Sequence, residues 1–172
     1  GEGGMGRVYL AHDRRLDREV AIKVLLSDRV EEELGLDGAA DLKQRFYREA
    51  KVLSTLKHPN IISIIDYSGP DVATRYLVME RLSGQSLDAY TEARPLDLRV
   101  VAAIGYALTG ALAHAHQKGI VHRDLKPANV FIEDSGRVVL LDFGVAKGVR
   151  RTGTRVTFMA SETKLVGTVM FA

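Results

Sequence analysis

Apolar positions change their spacing several times along this chain. Over Val8-Tyr9-Leu10, and again from Glu19 to Leu26, they come in short β-branched and aromatic bursts broken by the polar turn Asp13-Arg14-Arg15, which predicts two strands. In the second strand a period of two sets Val20, Ile22 and Val24 on one face and Ala21, Lys23 and Leu25 on the other. Val30 to Ala40 is acidic and glycine-containing, and reads as a connecting loop. From Asp41 to Leu56 the spacing turns helical, with Leu42, Phe46, Leu53 and Leu56 recurring and Glu49 on that same face. Pro59 ends the helix by disfavouring the helical region for His58. Ile61 to Tyr67 and Tyr76 to Glu80 are two further predicted strands, and the polar stretch Arg81 to Ser86, with Gly84, marks a boundary. A helix follows from about Leu98 to Lys118, with Val101, Ile104, Leu108, Leu112 and Ala115 on one stripe and Gly119 as its stop. Val130 to Ile132 and Val138 to Leu141 then bracket the turn Glu133 to Gly136. A strand-rich half before a helical, loop-rich half predicts an α+β fold in two lobes.

Composition narrows the possibilities without naming one. Of 172 residues, 46% are hydrophobic and 27% charged, a globular balance. There is no cysteine, which removes disulfides and thiolate metal sites. A formal net charge of +2 is too small to argue for nucleic acid or an anionic membrane as the main partner. Positive charge gathers only towards the end, at Lys147, Arg150, Arg151, Arg155 and Lys164. The longest apolar stretch, Val100 to Ala113, is 14 residues, short of the ~18–20 of a spanning helix, so no membrane contact is expected from this segment.

The candidate chemistry begins at Gly1-Glu2-Gly3-Gly4-Met5-Gly6-Arg7-Val8, a G-x-G-x-x-G-x-V pattern whose backbone N–H groups can approach phosphate oxygens. Alone it fits a plain glycine turn or a dinucleotide fold equally well. A dinucleotide fingerprint needs a helix directly afterwards, whereas here a strand follows and then Val20-Ala21-Ile22-Lys23. Lys23 lies between apolar neighbours, and Glu49 is an acid displaced onto an apolar helix face. An ion pair between them satisfies both, and would hold the ammonium towards nucleotide phosphates. The run His122-Arg123-Asp124-Leu125-Lys126-Pro127-Ala128-Asn129 is followed by Asp142-Phe143-Gly144. Phosphoryl transfer needs an acceptor for a hydroxyl proton, hard oxygen ligands for magnesium, and cations against the developing charge. Asp124 offers the first, Asn129 and Asp142 the second, and Lys126 local positive charge.

These motifs, in this order, resemble the protein kinase signature set. The opening G-E-G-G-M-G-R-V-Y and the Phe46 to Ala50 run resemble bacterial members of the eukaryotic-like (Hanks-type) branch, and Lys126 and Gly167-Thr168 resemble serine/threonine rather than tyrosine kinases. The resemblance implies a two-lobed protein-kinase-like fold: residues 1–80 an N-lobe with an incomplete first strand, 81–86 the hinge, and 87–172 the first part of a C-lobe through the activation segment. It implies ATP with Mg2+, or Mn2+, as cofactors and protein Ser/Thr hydroxyls as acceptors, with a cytoplasmic location or the cytoplasmic domain of a membrane-anchored kinase. It also implies that Gly1, Gly3 and Gly6 meet the phosphates. Val8, Ala21 and Phe131 would sandwich the adenine, with Met79 as gatekeeper, Glu80 and Leu82 at the adenine edge, and Ser86 near the ribose. Leu53, Ile64, His122 and Phe143 would stack as a spine. The helices expected beyond residue 172 would anchor the catalytic loop, so the segment alone is expected to be weakened or inactive. Arg123, expected to be at least half-buried, would meet an activating phosphate on Thr163 or Ser161, added in trans by a second copy. Thr168 would be committed to substrate docking. His114 and His116, two apart on a helix, face different ways and are expected to be structural or exposed.

Overall fold

Two antiparallel sheets, joined by a short connection, carry the site. The computed structural model describes residues 2–3, 6–25, 44, 46–47, 50–69, 72, 74–93 and 95–143. The first sheet runs in the order β1 (Glu2–Gly3), β2 (Gly6–Asp13), β3 (Arg18–Leu25), β5 (Tyr76–Glu80), β4 (Ile64–Tyr67). The glycine motif folds back on itself, with Gly3 opposite Gly6. Asp13 closes the next turn, its Oδ1 accepting the N–H groups of Arg15 and Leu16 at 3.0 and 3.2 Å. Register places Val8 opposite Lys23, and Ala21 between Leu10 and Met79. Val8, Ala21, Lys23, Leu77 and Met79 therefore share one face, as the period of two in β3 predicts.

Gln44, Phe46, Tyr47 and residues 50–53 are helical, and this segment packs Phe46, Ala50 and Leu53 onto the sheet beside Leu77. The second sheet is β6 (Gly84–Ser86), β7 (Val130–Glu133) and β8 (Val138–Leu140), in that order. Half of the polar stretch 81–86 thus belongs to this sheet, and the free connection is only Arg81–Ser83. Gly84 is required there. Its φ is +143°, and a Cβ would stand 2.2 Å from the Ile132 carbonyl oxygen.

Two helices follow the connection, α1 (Leu87–Ala93) and α2 (Leu98–Gln117). Asp97 caps α2 by accepting the Arg99 N–H at 2.7 Å. Gly119, at φ +73°, ends it with paired bonds from Gly119 N to His116 O and Ile120 N to Ala115 O. The buried stripe is Ile104, Ala111 and Ala115, with Leu108 and Leu112 partly covered, while Val101 is 47% exposed. The expected stripe was thus right from Ile104 onwards and wrong at Val101. Over its full 20 residues α2 is long and apolar enough to cross a bilayer, more than the 14-residue stretch suggests, but its inward residues pack in the core and against β8.

The core is one contiguous cluster through both halves, from Phe46 and Leu53 through Leu56 and Ile61 to Val130, Leu140 and Phe143. The seam is β8. Leu140 donates to Asn60 O at 2.9 Å and accepts from Ile62 N at 3.0 Å, and Asn60 Nδ2 reaches Val138 O at 2.7 Å. The turn after the first helical segment is thereby bonded directly to the second sheet.

Candidate functional site

The loop 121–129 is built around His122. The ring is 2% exposed, its Nε2 lies 2.7 Å from Leu141 O, and its Nδ1 accepts the Asp124 N–H at 3.3 Å. A carbonyl can only accept and an amide N–H can only donate, so the proton sits on Nε2. Burial holds the imidazole below its usual titration range. The Leu141 bond and the charges of Asp124 and Asp142 pull the other way without overcoming it. Phe143 packs its ring on His122 at 4.8 Å between centroids. Leu53 and Ile64, also buried, line a small cavity with Phe143, Asp142 and Met79. The four expected spine residues are therefore together in the core.

Arg123 and Asp142 adopt φ of +63° and +38°, a region that costs a non-glycine residue about 1–3 kcal/mol. The His122–Leu141 bond and the His122–Phe143 contact lie beside these two kinks and hold them. The kink at 123 separates the buried His122 from the exposed Arg123. Arg123 was expected to be half-buried or more; none of the described elements covers it.

Around Asp124 the polar groups interlock. Asn129, 7% exposed, donates from Nδ2 to Asp124 O at 2.7 Å and to Asp124 Oδ2 at 3.2 Å. Lys126 Nζ stands 3.4 Å from the same Oδ2. Asn129 O accepts the Leu141 N–H at 2.8 Å, so both backbone groups of Leu141, the residue before Asp142, are held by this loop. Lys23 reaches across from the first sheet, its Nζ 2.6 and 2.7 Å from the two oxygens of Asp142. Sequence reasoning paired Lys23 with Glu49. Glu49 lies outside the described residues, as do Gly1, Ser161, Thr163 and Thr168.

The other predicted positions fall on both sides of the connection. Val8, Ala21 and Met79 are on the Lys23 face of the first sheet, and Phe131 is on the middle strand of the second, opposite Ser86 and Val139. The neighbouring Ser86 side chain, more than any other influence, holds the Asp88 carboxyl at the start of α1 below its usual range; burial opposes this, while backbone N–H groups and Lys126 assist. His114 stacks on His58 at 5.3 Å and His116 is exposed, as expected.

Sequence reasoning missed Arg137. Its Nη2 bonds Glu80 Oε2 at 2.7 Å and its Nε bonds Glu133 Oε2 at 2.6 Å. Burial is the largest influence on this guanidinium and opposes its charge, but Glu80 and Glu133 outweigh it and hold Arg137 above the usual range. Only the Glu133 partner, four residues away, left a local signal.

A glycine hairpin, a strand lysine joined to an aspartate of the other lobe, and a carboxylate flanked by an amide and an ammonium form a two-lobed site suited to binding phosphate and moving a hydroxyl proton. The family model for the protein kinase domain matches residues 1–172, and the chain belongs to that family. It is 43% identical over 88% of its length to the serine/threonine-protein kinase PrkC of Bacillus subtilis, covering 22% of that protein. It is 38% identical over 99% of its length to PknB of Mycobacterium tuberculosis, covering 26%. The chain therefore spans about a quarter of these relatives. Among solved structures, Rad53 1-466 in complex with AMP-PNP superposes with a TM-score of 0.69 at 29% identity, over 84% of this chain and 36% of that one.

Proposed function

We propose that this chain is the nucleotide-binding and catalytic part of a protein serine/threonine kinase that transfers the γ-phosphoryl group of ATP to Ser/Thr hydroxyls of proteins. The observation that carries this is the assembly at Asp124. Its carboxylate is oriented by Asn129 Nδ2 and faced by Lys126, while Asp142 is fixed next door and meets Lys23 from the opposite lobe. Asp124 orients the acceptor hydroxyl and takes its proton, and Lys126 balances charge as it builds on the transferred group. Lys23 serves the α- and β-phosphates, with Glu49 positioning it. Val8, Ala21 and Phe131 enclose the adenine, beside the gatekeeper Met79 and the backbone of Glu80 and Leu82.

The residues also fit a magnesium ion. Asn129 spends its nitrogen inside the loop, leaving its amide oxygen to offer beside the half-exposed Asp142 carboxylate, and a sparse oxygen set completed by substrate phosphates is what Mg2+ favours. When bound, the ion would neutralise phosphate charge. The reading extends to activation by phosphorylation of Thr163 or Ser161 in trans, with Arg123 receiving the phosphate, and to a cytoplasmic location. Exposure of Arg123 supports its availability.

The test is transfer of labelled phosphate from ATP to a generic protein substrate by the full-length protein. Asp124→Asn should retain nucleotide binding and lose about 100-fold or more in turnover, the scale of a lost general base. Near-normal turnover in that variant would remove the role assigned to Asp124.

A further inference from the structure

The connection Arg81–Ser83 is three residues long and is anchored at both ends by one hairpin, β7–β8. At its far end Asp134 N donates to Ser83 O at 2.9 Å, and Gly84 pairs with Glu133 in a fit with no room for a side chain. At its near end the anchor is the Glu80 carboxylate. Oε1 accepts the Ser63 N–H at 2.8 Å and Oε2 accepts from Arg137 Nη2 at 2.7 Å. Arg137 is itself gripped from its own hairpin by Glu133, and its Nη1 lies 3.4 Å from Pro59 O in the turn that bonds to β8. One planar guanidinium thus joins the start of the connection, the hairpin at its end and the Pro59 turn, a geometry that a fork of fixed donors can span.

We propose that Arg137 is a positioning residue for nucleotide binding, fixing the backbone of Glu80 to Leu82 where the adenine edge is read. The inference rests on the reading of that backbone as the adenine contact. Without Arg137, two acids are left facing each other on half-buried ground, so Glu80 moves away and carries the strand end with it. A residue that merely stabilised the hairpin would lower stability without moving nucleotide affinity and turnover apart.

Arg137→Ala, Arg137→Lys and Glu133→Gln, made in the full-length protein, separate the cases. Two measurements are needed: amide hydrogen exchange across 59–63 and 80–84, and titration with ATP alongside steady-state kinetics. In Arg137→Ala, exchange should speed up in both segments and affinity for ATP should fall about fivefold, the weight of one net hydrogen bond. Turnover at saturating ATP should change far less than affinity. Arg137→Lys keeps the charge but cannot fork to several partners, so it should recover only part of the affinity, and Glu133→Gln should fall between wild type and Arg137→Ala. Unchanged exchange in both segments, or faster exchange with unchanged ATP affinity, would overturn the proposal. A wild-type protein that fails to bind ATP would instead overturn the functional reading beneath it.

Discussion

Replacing His122 with phenylalanine isolates what the imidazole nitrogens contribute. The new ring keeps the shape that packs on Phe143 at 4.8 Å but loses the bonds to Leu141 O and Asp124 N. The bond to Asp124 N is worth about 1 kcal/mol net, and the part-buried Leu141 carbonyl left without a partner costs about 1–3 kcal/mol, so a loss of roughly 2–4 kcal/mol is expected. That is a large share of the ~5–15 kcal/mol that holds a typical domain. Urea denaturation of the full-length protein at pH 7.5 measures it. Acid sensitivity gives an independent check. Burial lowers the folded-state pKa of His122 below the ordinary 6.5, so the unfolded chain takes up the proton first. This contribution to stability is complete above about pH 6.5 and is lost as pH falls towards the folded value, with a limiting slope of about 1.4 kcal/mol per pH unit for one proton. His122→Phe lacks the group, so its stability should fall less steeply between pH 6.5 and 5. Parallel curves for the two proteins, or equal stability at pH 7.5, would refute this account of the loop.

Three other outcomes follow, one from the geometry at Gly84 and two from the proposed function. On the proposed roles, in which the lysine meets phosphate and the glutamate only positions it, Lys23→Met should remove most phosphotransfer and Glu49→Gln less; the reverse order at saturating ATP would contradict those roles. Gly84→Ala should destabilise by about 3 kcal/mol or more in urea, since its Cβ would meet Ile132 O at 2.2 Å and φ is +143°, and a shift under about 1 kcal/mol would mean the strand end moves freely. After incubation with Mg-ATP, mass spectrometry should find phosphate on Thr163 or Ser161, and the Ser161→Ala, Thr163→Ala double variant should be poorly active; full activity there would exclude that route of activation.

Local chemistry made much of this legible in sequence. The strands β3 and β5, the start of α2 near Leu98 and its stop at Gly119, and the inward Lys23 all follow from periods and stop signals that act within a few residues. What escaped depends on distant partners. The strands β1 and β6 are two and three residues long, too short for any period, and exist because β2 and β7 offer them an edge. Helix α1 is seven residues, below the length at which pattern speaks. The Arg137–Glu80 pair joins positions 57 apart, and nothing near Arg137 points to Glu80. The bond from Lys23 to Asp142 crosses 119 residues, and motif logic foresaw both side chains but not that they meet.

The way these bonds divide says which distances in the site can vary. Asp124, Asn129 and Asp142 are all referred to one residue, Leu141. Its carbonyl is held by His122, two positions before Asp124; its N–H is held by Asn129 O; and Asp142 is its covalent neighbour. Asp124, the proposed proton acceptor, and Asn129 and Asp142, the proposed metal ligands, therefore form a unit built on the end of β8, whose three residues are all buried. Lys23 comes from the other sheet, and its link to that unit is a partly exposed ion pair, with side chains 24% and 46% accessible, in place of a buried backbone ladder. A change in the angle between the sheets should leave Asp124, Asn129 and Asp142 in register with each other while moving Lys23, to which the phosphate contact is assigned in the proposed function. On the proposed roles, opening between the sheets would change nucleotide grip more than acceptor activation. That is why the clamp at Arg137, which ties the same two sheets together beside the connection, is expected to act on affinity for ATP before it acts on turnover.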